Sequence, residues 1–208
     1  FPAAEGADVV LASLPLGTGN SFLRDYGITD ERAAIDALLG GRTHTVDVVR
    51  LEHAEGALHY INILGIGFAA AAGKLTNDRF KSWGAAGYVG ATLVTLSRLE
   101  HPSDPLVLDA GTDEARALPG PAAMICFCNS RFTGGAMMMA PSADAGDGLV
   151  DVIHAGDLGR SAFMNQLPRI YAGKHVDHPR VQALRARTVD FEAPRRQPCM
   201  IDGEILEL

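Results

Sequence analysis

The chain has 208 residues, enough to bury the core of one domain, or of one domain and part of another. Its formal net charge of −7 argues against nonspecific binding to nucleic acid or to anionic lipid, because both require concentrated lysine and arginine. Three cysteines are too few for a disulfide framework and favour a reducing, cytoplasmic setting. The longest apolar stretches are too short to span a bilayer.

The N-terminal part has the character of an α/β nucleotide domain. An apolar segment over residues 9–16 predicts a strand that runs into a glycine-bracketed loop over residues 17–20. A helix is predicted over residues 31–39, ended by a Gly-Gly pair. A nucleotide domain has more strands and helices before such a loop, so we expect the chain to be the C-terminal portion of a longer protein.

From residue 43 onward, the pattern is mostly that of strands separated by turn signals. Strands are predicted over residues 43–52, 57–64, 105–109, 122–129, 149–154, 181–191 and 199–208. Two helices are predicted between them, at residues 88–100 and 161–172. We therefore expect an α+β protein. Residues 1–42 would be the remnant of an α/β nucleotide domain, and residues 43–208 a mostly antiparallel β-sandwich domain with two helices.

Two loops carry groups that can bind ligands. The loop over residues 17–20 offers backbone N–H groups close to a helix start, which can cradle a phosphate or a ribose. Its alternative is a tight turn without a ligand. Asp144 and Asp147 lie three residues apart in a second loop and could bind one Mg²⁺, since that ion needs only one or two protein carboxylates. Here the alternative is a turn in which aspartate and glycine serve conformation alone.

A third acidic pair lies near the C-terminal end. Asp202 and Glu204 flank Gly203 within the last apolar segment and could supply a general base for a substrate hydroxyl. On local evidence we favour the alternative, a bulge or hairpin tip with solvated charges. Asn62 and Asn129 interrupt or end apolar runs, and we expect each to satisfy buried backbone rather than contact a ligand.

Taken in order, these segments resemble the diacylglycerol kinase and sphingosine kinase catalytic family. The matching segments are residues 14–22, 62–68, 129–130, 134–135, 141–143, 147–149 and 201–204. The resemblance implies an N-terminal α/β domain, similar to that of NAD kinases, that binds ATP, and a C-terminal β-rich domain that shapes a lipid site. The active site would lie in the cleft between them. The implied reaction transfers the γ-phosphate of ATP to the hydroxyl of a diacylglycerol-like or sphingoid lipid.

The resemblance also assigns roles to residues of this chain. The residues expected to contact ATP are Gly17, Thr18, Gly19 and Asn20. The residues expected to hold a structural Mg²⁺, through carboxylate and backbone carbonyl oxygens, are Asp144, Asp147 and Leu149. The position of the proton acceptor matches Glu204, with Asp202 as its competitor.

The chain departs from the family pattern in two places. The second phosphate motif of the family, Gly-Gly-Asp-Gly-Thr, does not occur, so we expect the chain by itself to be inactive. Ser21 stands where bacterial members usually have aspartate.

The alternative function is a non-catalytic lipid or small-molecule binding module, and the two acidic motifs disfavour a relative that phosphorylates NAD. The expected partners are a lipid with a free hydroxyl and, transiently, a membrane surface, but no nucleic acid. Apolar residues 9–16 suggest a homodimer.

Overall fold

A computed structural model of the chain describes residues 10–17, 19–75, 84–101, 105–118, 120–192 and 196–208, with the backbone alone for 84–90. Helices α1 to α4 are Glu31–Leu39, Phe68–Leu75, Gly84–Ser97 and Arg160–Ile170. Strands β1 to β13 are Val49–His53, Gly56–Tyr60, Ile63–Gly67, Leu106–Leu108, Arg116–Leu118, Met124–Cys128, Phe132–Thr133, Met137–Met138, Val150–Ala155, Val181–Ala186, Val189–Phe191, Pro198–Ile201 and Glu204–Glu207. Short 3-10 helices are Phe22–Tyr26 and Lys174–Asp177. No helix in these ranges is long and apolar enough to cross a membrane.

The centre of the fold is a six-stranded antiparallel sheet with strand order β10-β9-β6-β3-β12-β13. Its strand β6 is buried at every residue, because alternate side chains enter two different cores. Met124, Cys126 and Cys128 join the core covered by α2 and α4. Ile125 and Phe127 join the opposite core, which is covered by the small sheet β11-β4-β5 and the hairpin β1-β2. The sheet is therefore the middle layer between helices and a second set of strands.

The expected α+β class with mostly antiparallel strands is confirmed. The described part of the β-rich region contains three helices rather than the two predicted. Helix α2 was missed because it continues directly from β3 and is apolar over most of its surface, so it shows no helical period that could be separated from a buried strand. The boundary between residues 42 and 43 stays a prediction.

Five predicted strands need correction. The run 57–64 is divided between β2, which ends at Tyr60, and β3, which begins at Ile63. The described part of residues 9–16 forms no strand, because no other described strand pairs with it and an unpaired strand is not stable. Residues 43–48 are likewise irregular, and regular pairing begins with β1. The run 181–191 is divided into β10 and β11, where Asp109 Oδ1 accepts hydrogen bonds from the amides of residues 187 and 188. The run 199–208 is a hairpin of β12 and β13.

Candidate active site

The loop over residues 17–20, called the glycine loop below, is closed by its own last residue. Asn20 adopts a left-handed φ of 45°, and its Nδ2 donates to Pro15 O at 3.0 Å and to Gly17 O at 2.5 Å. The side-chain amide of Asn20 is thus engaged inside the loop, which leaves the loop backbone as the part that can meet a phosphate. Thr18, the residue expected to contact ATP, lies outside the described residues.

The segment after the glycine loop is fastened to the β-rich region. The buried hydroxyl of Ser21 accepts a hydrogen bond from Gly135 N at 2.8 Å. Four residues later, Asp25 Oδ1 pairs with Arg131 Nε at 2.5 Å, and Asp25 Oδ2 accepts from Arg131 N at 3.1 Å. The fold therefore brings together two of the matching segments, which lie more than a hundred residues apart. Sequence reasoning singled out neither Asp25 nor Arg131, because charged residues in short polar turns give no signal by themselves.

The loop over residues 144–149, called the acidic loop below, uses its two predicted aspartates to shape itself. Asp144 Oδ1 accepts from the amide two residues later at 3.1 Å, and Asp147 Oδ1 accepts from Leu149 N at 3.0 Å. Asp147 Oδ2 also lies 3.4 Å from Arg185 Nη1. The turn geometry predicted as the alternative is present, and it leaves the carboxylates and carbonyls grouped on one short segment.

A third carboxylate, Asp47, was missed by sequence analysis. Its Oδ2 accepts from Gly148 N at 2.7 Å, and its own amide donates to Ala145 O at 2.6 Å. Asp47 thereby fastens the acidic loop to the N-terminal part of the chain. It stands between Val46 and Val48 in a segment predicted as a strand, so its polar side chain was explained by alternation with apolar residues.

The electrostatic effect of these acids is visible at Tyr26. Burial raises the pKa of the Tyr26 hydroxyl, and the nearby carboxylates of Asp25, Asp144 and Asp47 raise it further. The causes agree in sign, because each disfavours a tyrosinate anion. Three carboxylates from separate parts of the chain therefore lie close enough to Tyr26 to act on its hydroxyl, between the short helix Phe22–Tyr26 and the acidic loop.

A buried aspartate lies beneath the acidic loop. Asp151 is 2% exposed, accepts from Ser142 Oγ at 2.7 Å and lies 3.4 Å from Arg185 Nε. Burial raises the pKa of Asp151, while the Ser142 hydrogen bond and Arg185 oppose that rise. Arg185 also pairs with Asp147, so one guanidinium compensates two carboxylates and holds the loop over the sheet.

The acidic loop offers oxygen atoms of the kind that a hard cation binds. Mg²⁺ binds one or two protein carboxylates and completes its shell with carbonyls and water. A carboxylate oxygen that accepts one hydrogen bond keeps a second lone pair, so Asp147 retains ligand capacity beside the carbonyls of Asp144 and Leu149. Within the ranges described above, no cluster of three or more His, Cys, Asp or Glu side chains could hold a metal ion. A cation here would therefore depend on carbonyl oxygens and water.

The turn at residues 202–203, called the terminal turn below, is the hairpin tip between β12 and β13. Asp202 has a left-handed φ of 48°, and both of its carboxylate oxygens are used. Oδ2 accepts from Ile61 N at 3.0 Å, and Oδ1 accepts from Asn62 N at 3.0 Å and from Ile63 N at 2.9 Å. The carboxylate of Asp202 thus ties the terminal turn to the residues before β3.

Glu204, the other candidate base, has a different environment. It is the first residue of β13, is exposed, and makes no side-chain hydrogen bond or ion pair with any residue that the structure describes. A group that must take a proton from a substrate needs a free oxygen within reach of that substrate. The geometry therefore favours Glu204 over Asp202 for proton transfer, although both assignments stay predictions.

Of the two predicted asparagines, Asn129 satisfies backbone groups as expected, whereas the side chain of Asn62 bonds to the hydroxyl of another side chain. Asn129 Nδ2 donates to Asp47 O and to Ile61 O, each at 2.9 Å, and Asn129 N donates to Asn62 O at 2.8 Å. Asn62 Oδ1 accepts from Ser130 Oγ at 2.6 Å. These bonds lie between the acidic loop and the terminal turn.

Comparison with known proteins gives two family matches. Residues 62–207 match the YegS C-terminal NAD kinase beta sandwich-like domain, and residues 3–51 match the diacylglycerol kinase catalytic domain. A relative named diacylglycerol kinase from Mycobacterium tuberculosis is 36% identical over 91% of this chain and 61% of its own length. A probable lipid kinase YegS-like from Shewanella frigidimarina is 25% identical over 93% of this chain and 60% of its own. The chain thus spans about three fifths of the length of these relatives.

The fold also has solved counterparts. A crystal structure of a putative diacylglycerol kinase from Bacillus anthracis superimposes with a TM-score of 0.70 at 21% identity, over 96% of this chain and 63% of that one. At that identity the likeness concerns the fold alone. The match over residues 62–207 covers more than half of the chain, and it decides the family. The chain belongs to the family defined by the YegS C-terminal NAD kinase beta sandwich-like domain.

Proposed function

We propose that the chain is part of a kinase that transfers the γ-phosphate of ATP to the hydroxyl of a lipid. One observation carries the choice of base. Asp202 is fully engaged by three backbone amides, whereas Glu204, two residues later, is exposed and has no side-chain partner among the described residues. Family membership and the names of the relatives support the reaction class.

In the proposed reaction, Glu204 accepts the proton of the lipid hydroxyl while the hydroxyl oxygen attacks the γ-phosphorus and ADP leaves. Positioning and charge stabilisation supply most of the rate in such transfers, so the task of the fold is to hold the base and the phosphates in line. The glycine loop would contribute backbone amides to ATP. Asp202 would act indirectly, by fixing the turn from which Glu204 projects.

A bound Mg²⁺ would keep the acidic loop in one conformation, held by the Asp147 carboxylate and the carbonyls of Asp144 and Leu149. The carboxylates around the acidic loop support this proposal. Asp47 and Asp147 both accept hydrogen bonds from loop amides, and their charges favour a cation nearby.

The lipid substrate implies transient contact with a membrane surface from the cytoplasmic side. The net charge of −7 makes an electrostatic anchor weak, so apolar contact would dominate.

We also propose that two copies associate through the N-terminal segment, where Val10, Leu11 and Leu16 are largely exposed. A monodisperse monomer in light scattering would contradict that association.

The test is phosphorylation of lipid by the full-length protein with labelled ATP and mixed micelles of diacylglycerol, a sphingoid base or phosphatidylglycerol. We expect one of these lipids to be labelled, and Glu204→Gln to lower kcat by about 10²–10⁴-fold, the usual contribution of a general base. Glu207→Gln is the control, because Glu207 is an exposed acid on the same strand whose carboxylate is engaged by Lys74 Nζ at 2.5 Å and is therefore not expected to act as a base. Wild-type activity in Glu204→Gln would remove the assignment. Lipid binding that ATP does not affect, without transfer, would favour the binding module instead.

A further inference from the structure

The acidic loop and the terminal turn belong to distant parts of the sequence, yet one buried side chain lies between them. Asn129 ends β6 and is 1% exposed. Its Nδ2 donates to Asp47 O on one side and to Ile61 O on the other, and these two residues adjoin the paired ends of β1 and β2, where Val49 lies opposite Tyr60. This placement suggests a role beyond filling space.

On the side of the terminal turn, the connection runs through two adjacent residues, Ile61 and Asn62. Ile61 offers its N–H to Asp202 Oδ2 and its carbonyl oxygen to Asn129 Nδ2. Asn129 N also donates to Asn62 O, whose own amide donates to Asp202 Oδ1. Any shift of Asn129 is therefore passed to both oxygens of Asp202, and through the turn to Glu204.

On the side of the acidic loop, the connection runs through Asp47. The carbonyl of Asp47 accepts from Asn129, its amide donates to Ala145 O at 2.6 Å, and its carboxylate accepts from Gly148 N at 2.7 Å. Asp47 thus bonds to Asn129 through its carbonyl oxygen and to the acidic loop through its amide and its carboxylate. Consecutive hydrogen bonds through Asp47, Asn129 and Ile61 therefore link the acidic loop to the terminal turn.

The side-chain oxygen of Asn129 provides a second, independent observation. Asn129 Oδ1 is buried and has no hydrogen-bond partner within the described ranges. A buried acceptor without a partner is destabilising, and a leucine of similar size would avoid that cost. An asparagine at this position is therefore explained by its two donor bonds and not by packing.

We propose that Asn129 is a positioning residue that links the acidic loop to the terminal turn, so that the two move as one unit. The proposal rests on the proposed kinase function for its catalytic consequence, while the physical link is a property of this chain alone. Loss of the link would separate the base from the rest of the site without removing any group that touches substrate.

The experiment is hydrogen–deuterium exchange on the full-length protein carrying Asn129→Leu. We expect the amides of residues 61–63 and of residues 47 and 148 to exchange about tenfold faster or more, together, as loss of buried hydrogen bonds permits local opening. His101→Leu is the control, since it also removes a side-chain contact to backbone, between His101 Nε2 and Leu158 O at 2.8 Å, and both residues lie outside the measured segments. Faster exchange in only one segment, or in neither, would overturn the proposal.

A measurement on the unmodified protein covers the case in which the leucine variant does not fold. Exchange followed across low denaturant concentrations should give the same opening free energy for both segments, and different values would contradict the link. In kinetics, Asn129→Leu should lower kcat by about 10²-fold and leave both KM values within about twofold. A raised KM with unchanged kcat would mean that Asn129 contacts substrate. If the wild type phosphorylates no lipid, the proposed function fails, and exchange still decides the link.

Discussion

Replacement of Asp202 by asparagine separates the two roles that an acid in the terminal turn can have. Asparagine keeps one oxygen for the amides of Asn62 and Ile63 but places an NH₂ group opposite the amide of Ile61. The change removes one bond to a charged acceptor, creates a donor–donor contact, and weakens the two bonds that remain. If Asp202 instead takes a proton from substrate, the same change removes the base.

The expected loss of stability follows from these three bonds. A hydrogen bond to a charged group contributes about 1.5–3 kcal/mol in a buried setting, and water reduces this value at an exposed residue such as Asp202. We therefore expect Asp202→Asn to lower the free energy of unfolding by about 2 kcal/mol. For a urea m-value of about 2 kcal/mol/M, the midpoint falls by about 1 M.

The assay is urea denaturation of the chain followed by circular dichroism, beside lipid phosphorylation by the full-length protein. Glu204→Gln is the control, and its stability should change by less than about 0.5 kcal/mol because its carboxylate has no described partner. An unchanged midpoint for Asp202→Asn would refute the structural role of the carboxylate. An unchanged midpoint combined with lost activity would make Asp202 the base.

Three further changes have defined outcomes. Mg²⁺ should raise the melting temperature of the wild type and of Asp113→Ala, which replaces an exposed aspartate in the turn between β4 and β5, but not that of Asp147→Ala. An equal response in all three would make the acidic loop an ordinary turn. Burial lowers the pKa of His175 below its ordinary 6.5, so the unfolded state binds the proton first and stability should fall as pH drops below about 6.5. Urea midpoints from pH 7.5 to 5.5 should show a smaller slope in His175→Gln. Gly67→Ala should cost about 2–5 kcal/mol in the same denaturation assay, because φ is 68° and the new Cβ would lie 2.7 Å from a backbone carbonyl oxygen. The matched Gly159→Ala has open space and should change stability by less than about 1 kcal/mol.

Much of the fold was predictable because its signals are local. Helix α1 has the predicted bounds, and Asp30 caps it by accepting from Ala33 N at 2.8 Å. Strands β6 and β10 lie inside the apolar runs that predicted them, and β9 matches its run to within one residue at each end. The predictions for residues 10–16 and 43–48 were wrong because an apolar or alternating pattern does not show whether a partner strand is available.

The candidate site was also predictable from the sequence in part only. The glycine loop, the acidic loop and the terminal turn were identified from their own residues and from their order along the chain, which also indicated the family. The turns at residues 144–149 and 202–203 need aspartate and glycine for local reasons, so they are visible in a single sequence. Their chemical roles depend on which oxygens remain free, and no local pattern carries that information.

The sequence by itself determined the fold class, the family resemblance and the short list of acids that can do chemistry. Only the tertiary structure decided how those acids are used. Asp202 is engaged because three amides from residues 61–63 reach it across the sheet, and Asp47 reaches the acidic loop from a hundred residues away. Asn129 lies between them because β6 is central to the sheet. Hydrogen bonds between such distant residues depend on packing in three dimensions, which one-dimensional periodicity does not record.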